Sequence, residues 1–179
     1  MSPRLAAVLL GALVSLPALG RECGEGAVRG TDAVTGDAIE NYQCAMLGRV
    51  YCRVAEDRDA GISQGESARR TADWLDRLNR TGSNVQGNSE AIVKMAAADV
   101  FRQPARRPGP IYYRTIYGCG VLKRTAAEPK AQQGAVAAFE AAADGCEKQH
   151  ALEGKRSYPN RPLRECLRDA VDRIAPVRP

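Results

Sequence analysis

The sequence predicts an all-α fold, a small disulfide-stapled bundle of about five to six helices, and three observations carry that reading. Apolar residues recur at spacings of three and four along successive segments, and Gly- or Pro-rich runs separate those segments. The 179 residues include 44% of the hydrophobic class, enough for one domain with its own core. Six cysteines, an even number, follow an apolar leader. Charges are mixed, 26 Lys+Arg against 21 Asp+Glu, with no long block of one sign, which excludes a disordered polyelectrolyte. Unperiodic Gly and scattered Pro exclude collagen and long coiled coils.

Residues 1–20 read as a secretory signal peptide. Arg4 supplies the positive end, Leu5 to Leu16 the apolar stretch, and Ala18-Leu19-Gly20 the small residues before a cut after Gly20. The apolar run is about 12 residues where a membrane span takes about 20, so no transmembrane anchor is expected after cleavage. Arg21 and Glu22 separate Gly20 from Cys23, which breaks the lipid-anchor pattern. The cleaved chain keeps all six cysteines and has 25 bases against 21 acids. Three disulfides in a periplasmic or secreted protein are therefore expected. Arg well in excess of Lys, with abundant Ala, fits a GC-rich bacterial genome and favours the periplasm.

Residues 21–36 are Gly-rich and aperiodic, a flexible N-terminal arm that only Cys23 could fasten. The helical core is expected over 37–125. From Asp37 to about Ala60, Ile39, Met46, Leu47, Val50, Tyr51 and Val54 fill a broad apolar arc opposite Arg49, Arg53 and Glu56, the mark of a central helix touching several others. Gly61 stops it. Ser63 and Glu66 have the spacing of a capping box, opening a second helix over 64–79 through Ala68, Ala72, Leu75 and Leu78, with Trp74 as a core residue. After the polar loop 81–89, Ile92, Met95, Ala96 and Val100 mark a third helix, Ser89 to Phe101. Gln103 to Pro110 holds three prolines and a Gly, so no helix is expected to cross it.

Ile111 to Leu122 carries Tyr112, Ile116 and Cys119 at helical spacing, although its Ile, Tyr and Thr also suit a strand. A C-terminal hairpin packed on the core is expected over 126–179. Its first arm, Pro129 to His150, places Val136, Phe139, Ala143 and Cys146 on one stripe. A turn over 155–162 leads to the second, with Leu163, Leu167, Val171 and Ile174.

Cys44 and Cys52 are eight residues apart on one predicted helix, about 12 Å along its axis. A disulfide needs Cα atoms within about 7 Å, so these two cannot join. Cys146 and Cys166 lie on the two arms of the hairpin, and a bridge there would contribute about 3 kcal/mol.

Several short motifs point outward. Cys44, Gly48 and Gly61, then Ala91-Ile92-Val93, Phe101-Arg102-Gln103-Pro104 and Thr115-Ile116-Tyr117-Gly118-Cys119 follow one another in order. Over residues 44–120 this order resembles a group of short, exported, uncharacterised proteobacterial proteins. That group brings no activity. The resemblance implies a pairing of Cys44 with Cys119, with Cys23 and Cys52 then left for each other.

No catalytic constellation stands out. The single histidine, His150, ends a charged helix, where the helix dipole favours it. Cys146 and His150 stand four apart, a spacing that metal sites use, with Cys166 as a third ligand; a metal or thiol enzyme here needs free thiols. Asp57 and Asp59 invite a calcium loop, but the required Gly falls on Ile62 and the closing acid on Ala68, leaving a solvated helix end. Gly118-Cys119-Gly120 lacks the rest of a phosphate loop, and no carboxylate pair is singled out. No catalytic residue, metal ligand or cofactor is assigned. The clearest charge feature is Arg102, Arg106, Arg107, Arg114, Lys123 and Arg124 with no acid between 100 and 127, interleaved with Tyr112, Tyr113 and Tyr117. Bases with aromatics suit an anionic polymer, nucleic acid or lipopolysaccharide, by counterion release and stacking. The leading expectation is an exported, non-catalytic helical protein that binds a protein partner in an inhibitor, immunity or envelope-accessory role. Polymer binding through 102–124 stands second, and a metal or thiol enzyme around Cys146 and His150 third.

Overall fold

The computed structural model describes residues 38–80, 89–103, 106–150 and 161–176, with side chains from Gln43 onward in the first helix. The expected signal peptide, the arm with Cys23, the loop 81–88 and most of the turn 155–162 lie outside the described residues. Those described form α1 (Ala38–Asp59), α2 (Gln64–Arg80), α3 (Ser89–Phe101), α4 (Pro108–Arg124), α5 (Pro129–His150) and α6 (Arg161–Ile174), with no strand among them.

The wide apolar arc of α1 resolves into two stripes. Met46, Val50 and Val54 are buried with Leu75 of α2 and Val93, Ala96 and Val100 of α3. Cys44 and Cys52 are buried instead with α4, α5 and α6, among Tyr112, Ile116, Val121, Phe139, Leu163, Leu167 and Val171. The core thus has two lobes, and α1 belongs to both, packing on α2, α3 and α4. Each fully buried Leu, Val or Phe contributes about 1.5–3 kcal/mol by leaving water, so both lobes hold their helices without a ligand.

Helix α1 runs antiparallel to α4. Near the start of α1 the Cys44 and Cys119 sulfurs are bonded, with Cα atoms 5.5 Å apart. One turn on, a Cβ placed on Gly48 would lie 2.7 Å from Ile116 Cγ1 and 3.1 Å from the Tyr112 carbonyl oxygen. Only glycine lets the two backbones approach that closely. Cys146 of α5 is bonded to Cys166 of α6, Cα atoms 5.8 Å apart. Cys52 is disulfide-bonded too, and its expected partner Cys23 lies outside the described residues.

Residues 111–122 are helical, and the helix is longer than the periodicity suggests. It opens inside the proline run, with Arg107 as N-cap and Pro108 as its first residue. The first-turn amides of a helix have no internal acceptor, so Pro108 and Pro110 forfeit nothing there and their fixed φ suits the turn. At α2 half of the capping box forms. The Glu66 amide donates to Ser63 Oγ at 3.3 Å, but the Glu66 carboxylate accepts from Arg69 at 2.7 Å instead of reaching back.

The end of α1 is not a solvated acidic patch. Asp57 is buried, 3.7 Å from Arg70 of α2. Arg58 turns across the α3–α4 junction and donates to the carbonyl oxygens of Val100 at 3.2 Å, Gln103 at 2.6 Å and Arg106 at 2.5 Å. These carbonyls belong to an ending helix and the turn after it, where a cation is favoured.

Candidate functional site

A cleft of about 470 Å³ opens where α1, α3, α4 and α5 meet. Leu47 of α1, Met95 of α3, and Ile111 and Leu122 of α4 give it an apolar lining, together with Gly118 and Cys119. Exposed large hydrophobic side chains are few among the described residues: Met95 at 51% and Leu122 at 45%. Both line this cleft. A Met is also the apolar side chain best able to reshape itself around a ligand.

The rest of the lining is polar, with Tyr51, Asp99, Gln103, Arg106, Arg114, Thr115 and Glu140. The Tyr51 hydroxyl donates to Asp99 Oδ2 at 2.9 Å, and Arg102 pairs with the other oxygen of Asp99. Burial first, then the carboxylate beside it, push the Tyr51 phenol well above its ordinary pKa. Arg106 reaches Glu147 at 2.8 Å and Asp144 at 3.0 Å, and also holds the Gln103 side chain. Arg114 pairs with Glu140, with Asp144 at 2.6 Å and with Glu147 at 3.0 Å. Burial works against the Arg114 charge, but its bonds to Glu140, Asp144 and Glu147 outweigh this and raise its pKa above the usual arginine value. The Arg114 hydrogen bond in turn holds the Asp144 carboxyl below the usual carboxylate range.

The six bases between 102 and 124 therefore do not make one cationic strip. Arg102, Arg106 and Arg114 are answered by carboxylates of α3 and α5. Arg124, ten residues and about 15 Å further along the α4 axis, pairs with Asp172 of α6 at 2.8 Å and bonds the Ala175 carbonyl. Lys123 donates to Gln43 Oε1 at 2.6 Å, and Arg107 caps α4 while holding contacts of its own. Tyr112, Tyr113 and Tyr117 are buried. Their rings serve the core and present no face on which bases could stack. Trp74 packs on the first lobe, with the Arg53 guanidinium 5.3 Å over its ring.

Cys146 and Cys166 spend both sulfurs in their bond, so neither is a thiolate for metal or substrate. His150 ends α5 as expected and does not line the cleft. The residues that sequence reasoning missed are Tyr51, Asp99, Glu140, Asp144 and Glu147. Part of the signal was there: Glu140, Asp144 and Glu147 repeat the spacing of the apolar stripe Phe139, Ala143 and Cys146, displaced by one residue. An acidic stripe beside the buried one faces whatever flanks the neighbouring helix, here the arginines of α4.

Comparison of the chain with models of protein families, with curated proteins and with solved structures finds no match.

Proposed function

We propose that this chain is an exported, non-catalytic helical protein that binds a protein partner, in the periplasm or outside the cell, and that the partner seats in the α1–α3–α4–α5 cleft. One observation carries the reading: Met95 and Leu122, exposed at 51% and 45%, face the same cleft. Exposed large apolar side chains gathered in one concavity mark binding surfaces. The signal-like leader and the disulfides support export, and the bond from cleft-lining Cys119 to Cys44 supports a rigid, pre-formed site. Inhibitor, immunity and envelope-accessory roles all fit. Polymer binding through 102–124 finds less support, because Arg102, Arg106, Arg114 and Arg124 are paired with carboxylates and the tyrosines are buried. A thiol or metal enzyme at Cys146 and His150 lacks the thiols.

Photo-crosslinking in the producing cell tests the proposal. A photoreactive residue at 95 or 122 should give one discrete protein adduct, whereas the same residue at exposed Arg168 should give none. Adducts that are absent at 95 and 122, or equal at all three positions, would overturn it, as would substrate turnover by the pure protein that a single polar substitution abolishes.

A further inference from the structure

The disulfides leave α2 out. Those described tie α1 to α4 and α5 to α6, and none of the six cysteines falls within α2 or α3. Arg58 fastens the end of α3, so α2 is the looser of the pair. Packing holds it weakly as well. Leu75 is the one large apolar side chain that α2 buries fully, with Trp74 and Leu78 packed beside it and partly exposed. The other fully buried residues of α2 are Ser67 and Thr71, whereas α4 buries Ile111, Ile116, Val121 and three tyrosines. We infer that α2 is a latch, lifting from α1 and α3 as one body while the rest of the chain stays folded.

What α2 buries favours its release. Ser67 Oγ, Thr71 Oγ1 and Oδ2 of Asp57, the α1 carboxylate beside Arg70 of α2, are buried with no hydrogen-bond partner among the described residues. A polar atom buried without a partner forfeits its hydration, and water reaches it again when α2 lifts. The Asp57–Arg70 ion pair opposes this weakly, being 3.7 Å long with the Arg70 side chain 39% exposed.

The connection is built to turn. Its backbone hydrogen bonds divide at one point: the amides of Gly61 and Ile62 donate back to Arg58 and Asp57 of α1, whereas those of Glu66 and Ser67 donate to Ser63. Rotation between Ile62 and Ser63 therefore breaks none of these bonds and leaves both helix ends capped. Gly61, beside that point, sits at φ 76° in open space, and a few such residues suffice for a hinge. Lifting takes Leu75 away from Val50, Val54 and Val93, with which it is buried. That uncovers an apolar face separate from the cleft, since none of those three valines lines it.

Hydrogen exchange of the oxidised chain, read as protection factors, is the test. Amides from Thr71 to Leu78 should share one protection factor, at least about tenfold below that of Ile116 to Val121 in α4. Val171→Ala, in the other lobe, should lower protection in α4 and leave α2 unchanged, because the contacts of Val171 persist when α2 lifts. Should that variant fold poorly, exchange of the unaltered chain in dilute urea decides the matter, α2 responding less steeply than α4. Thr71→Val, which keeps the shape and the helix propensity, should raise α2 protection at least about fivefold. Protection in α2 that equals that in α4, or that falls with it in Val171→Ala, overturns the latch. So does protection graded inward from the ends of α2, which is fraying. Lower α2 protection in Thr71→Val overturns it too, because the hydroxyl would then be holding α2 down.

Discussion

Gly48 of α1 and Ile116 of α4 meet so closely that any Cβ on the glycine would stand 2.7 Å from Ile116 Cγ1, inside contact distance, with the Tyr112 carbonyl oxygen only 3.1 Å away. The disulfide from Cys44 to Cys119 lies one turn along the same crossing. It prevents the helices from parting to admit a side chain. Gly48→Ala gains about 1 kcal/mol of helix propensity, but crowding a packed interface costs about 1–3 kcal/mol, and here the obstacle includes backbone. A net loss of about 1 kcal/mol is expected, and Gly48→Val should lose more. Urea unfolding of the oxidised variants checks this; an alanine variant more stable than the parent would show that α1 and α4 are not held at this distance.

Arg58 makes its three carbonyl bonds to residues 42, 45 and 48 positions away, with its side chain only 9% exposed. It ties the end of the first lobe to the start of α4. Hydrogen bonds from a charged donor are worth about 1.5–3 kcal/mol each at most, with overlap among them. Arg58→Met, which keeps much of the stem, should destabilise the chain by about 2–3 kcal/mol, and Arg58→Lys should recover less than half because one ammonium cannot span the same fork. Hydrogen exchange at Ile111 and its neighbours should rise in both. Unchanged exchange there would remove the tie from the account.

The helices were legible in the sequence because their information is local. Phe139, Ala143 and Cys146 reveal the buried face of α5 by spacing alone, as Leu163, Leu167 and Val171 do for α6, and both stripes are buried. The start of α4 was not, because proline signals a break only where an amide is needed, and the first turn needs none. The site was less legible still. Six bases without an intervening acid suggest a free cationic strip, yet the acids that answer Arg106 and Arg114 lie 26 to 41 positions downstream on α5. Asp57 in the same way read as one member of a solvated helix end, yet it is buried beside Arg70 of α2. Ion pairs across a tertiary interface leave no periodic trace in one segment, so the fold has to be known before the sign of the surface can be.

The two described disulfides should differ in worth. Cys44–Cys119 closes a separation of 75 residues and Cys146–Cys166 one of 20. In the chain-entropy account these correspond to about 4.5 and about 3.3 kcal/mol. The paired variant Cys44→Ala, Cys119→Ala should therefore lose about 1 kcal/mol more than Cys146→Ala, Cys166→Ala, measured by urea unfolding without reductant. The reverse order in stability would mean that native packing around α5 and α6, not loop entropy, governs the difference.

Asp144 supplies an acid-sensitive contribution with a defined sign. Its carboxyl is held below the usual range chiefly by the Arg114 hydrogen bond, with smaller help from the charges of Arg114, Arg106 and Lys148. A carboxyl that binds its proton more weakly in the folded chain than in the unfolded one adds stability above the unfolded value, about 3.9 for Asp. That stability is lost as pH falls through the lower, folded value. With the side chain 51% exposed, solvent and salt screen the effect. The unfolding free energy should therefore fall from about pH 4 downward, more steeply in the parent than in Asp144→Asn, which begins lower at neutral pH and meets the parent in acid. Raising the salt should bring the two curves together. If Asp144→Asn kept the full acid slope of the parent, the sensitivity would belong to Glu90 and Glu165, the other carboxyls held low among the described residues, each by the base one turn away on its own helix.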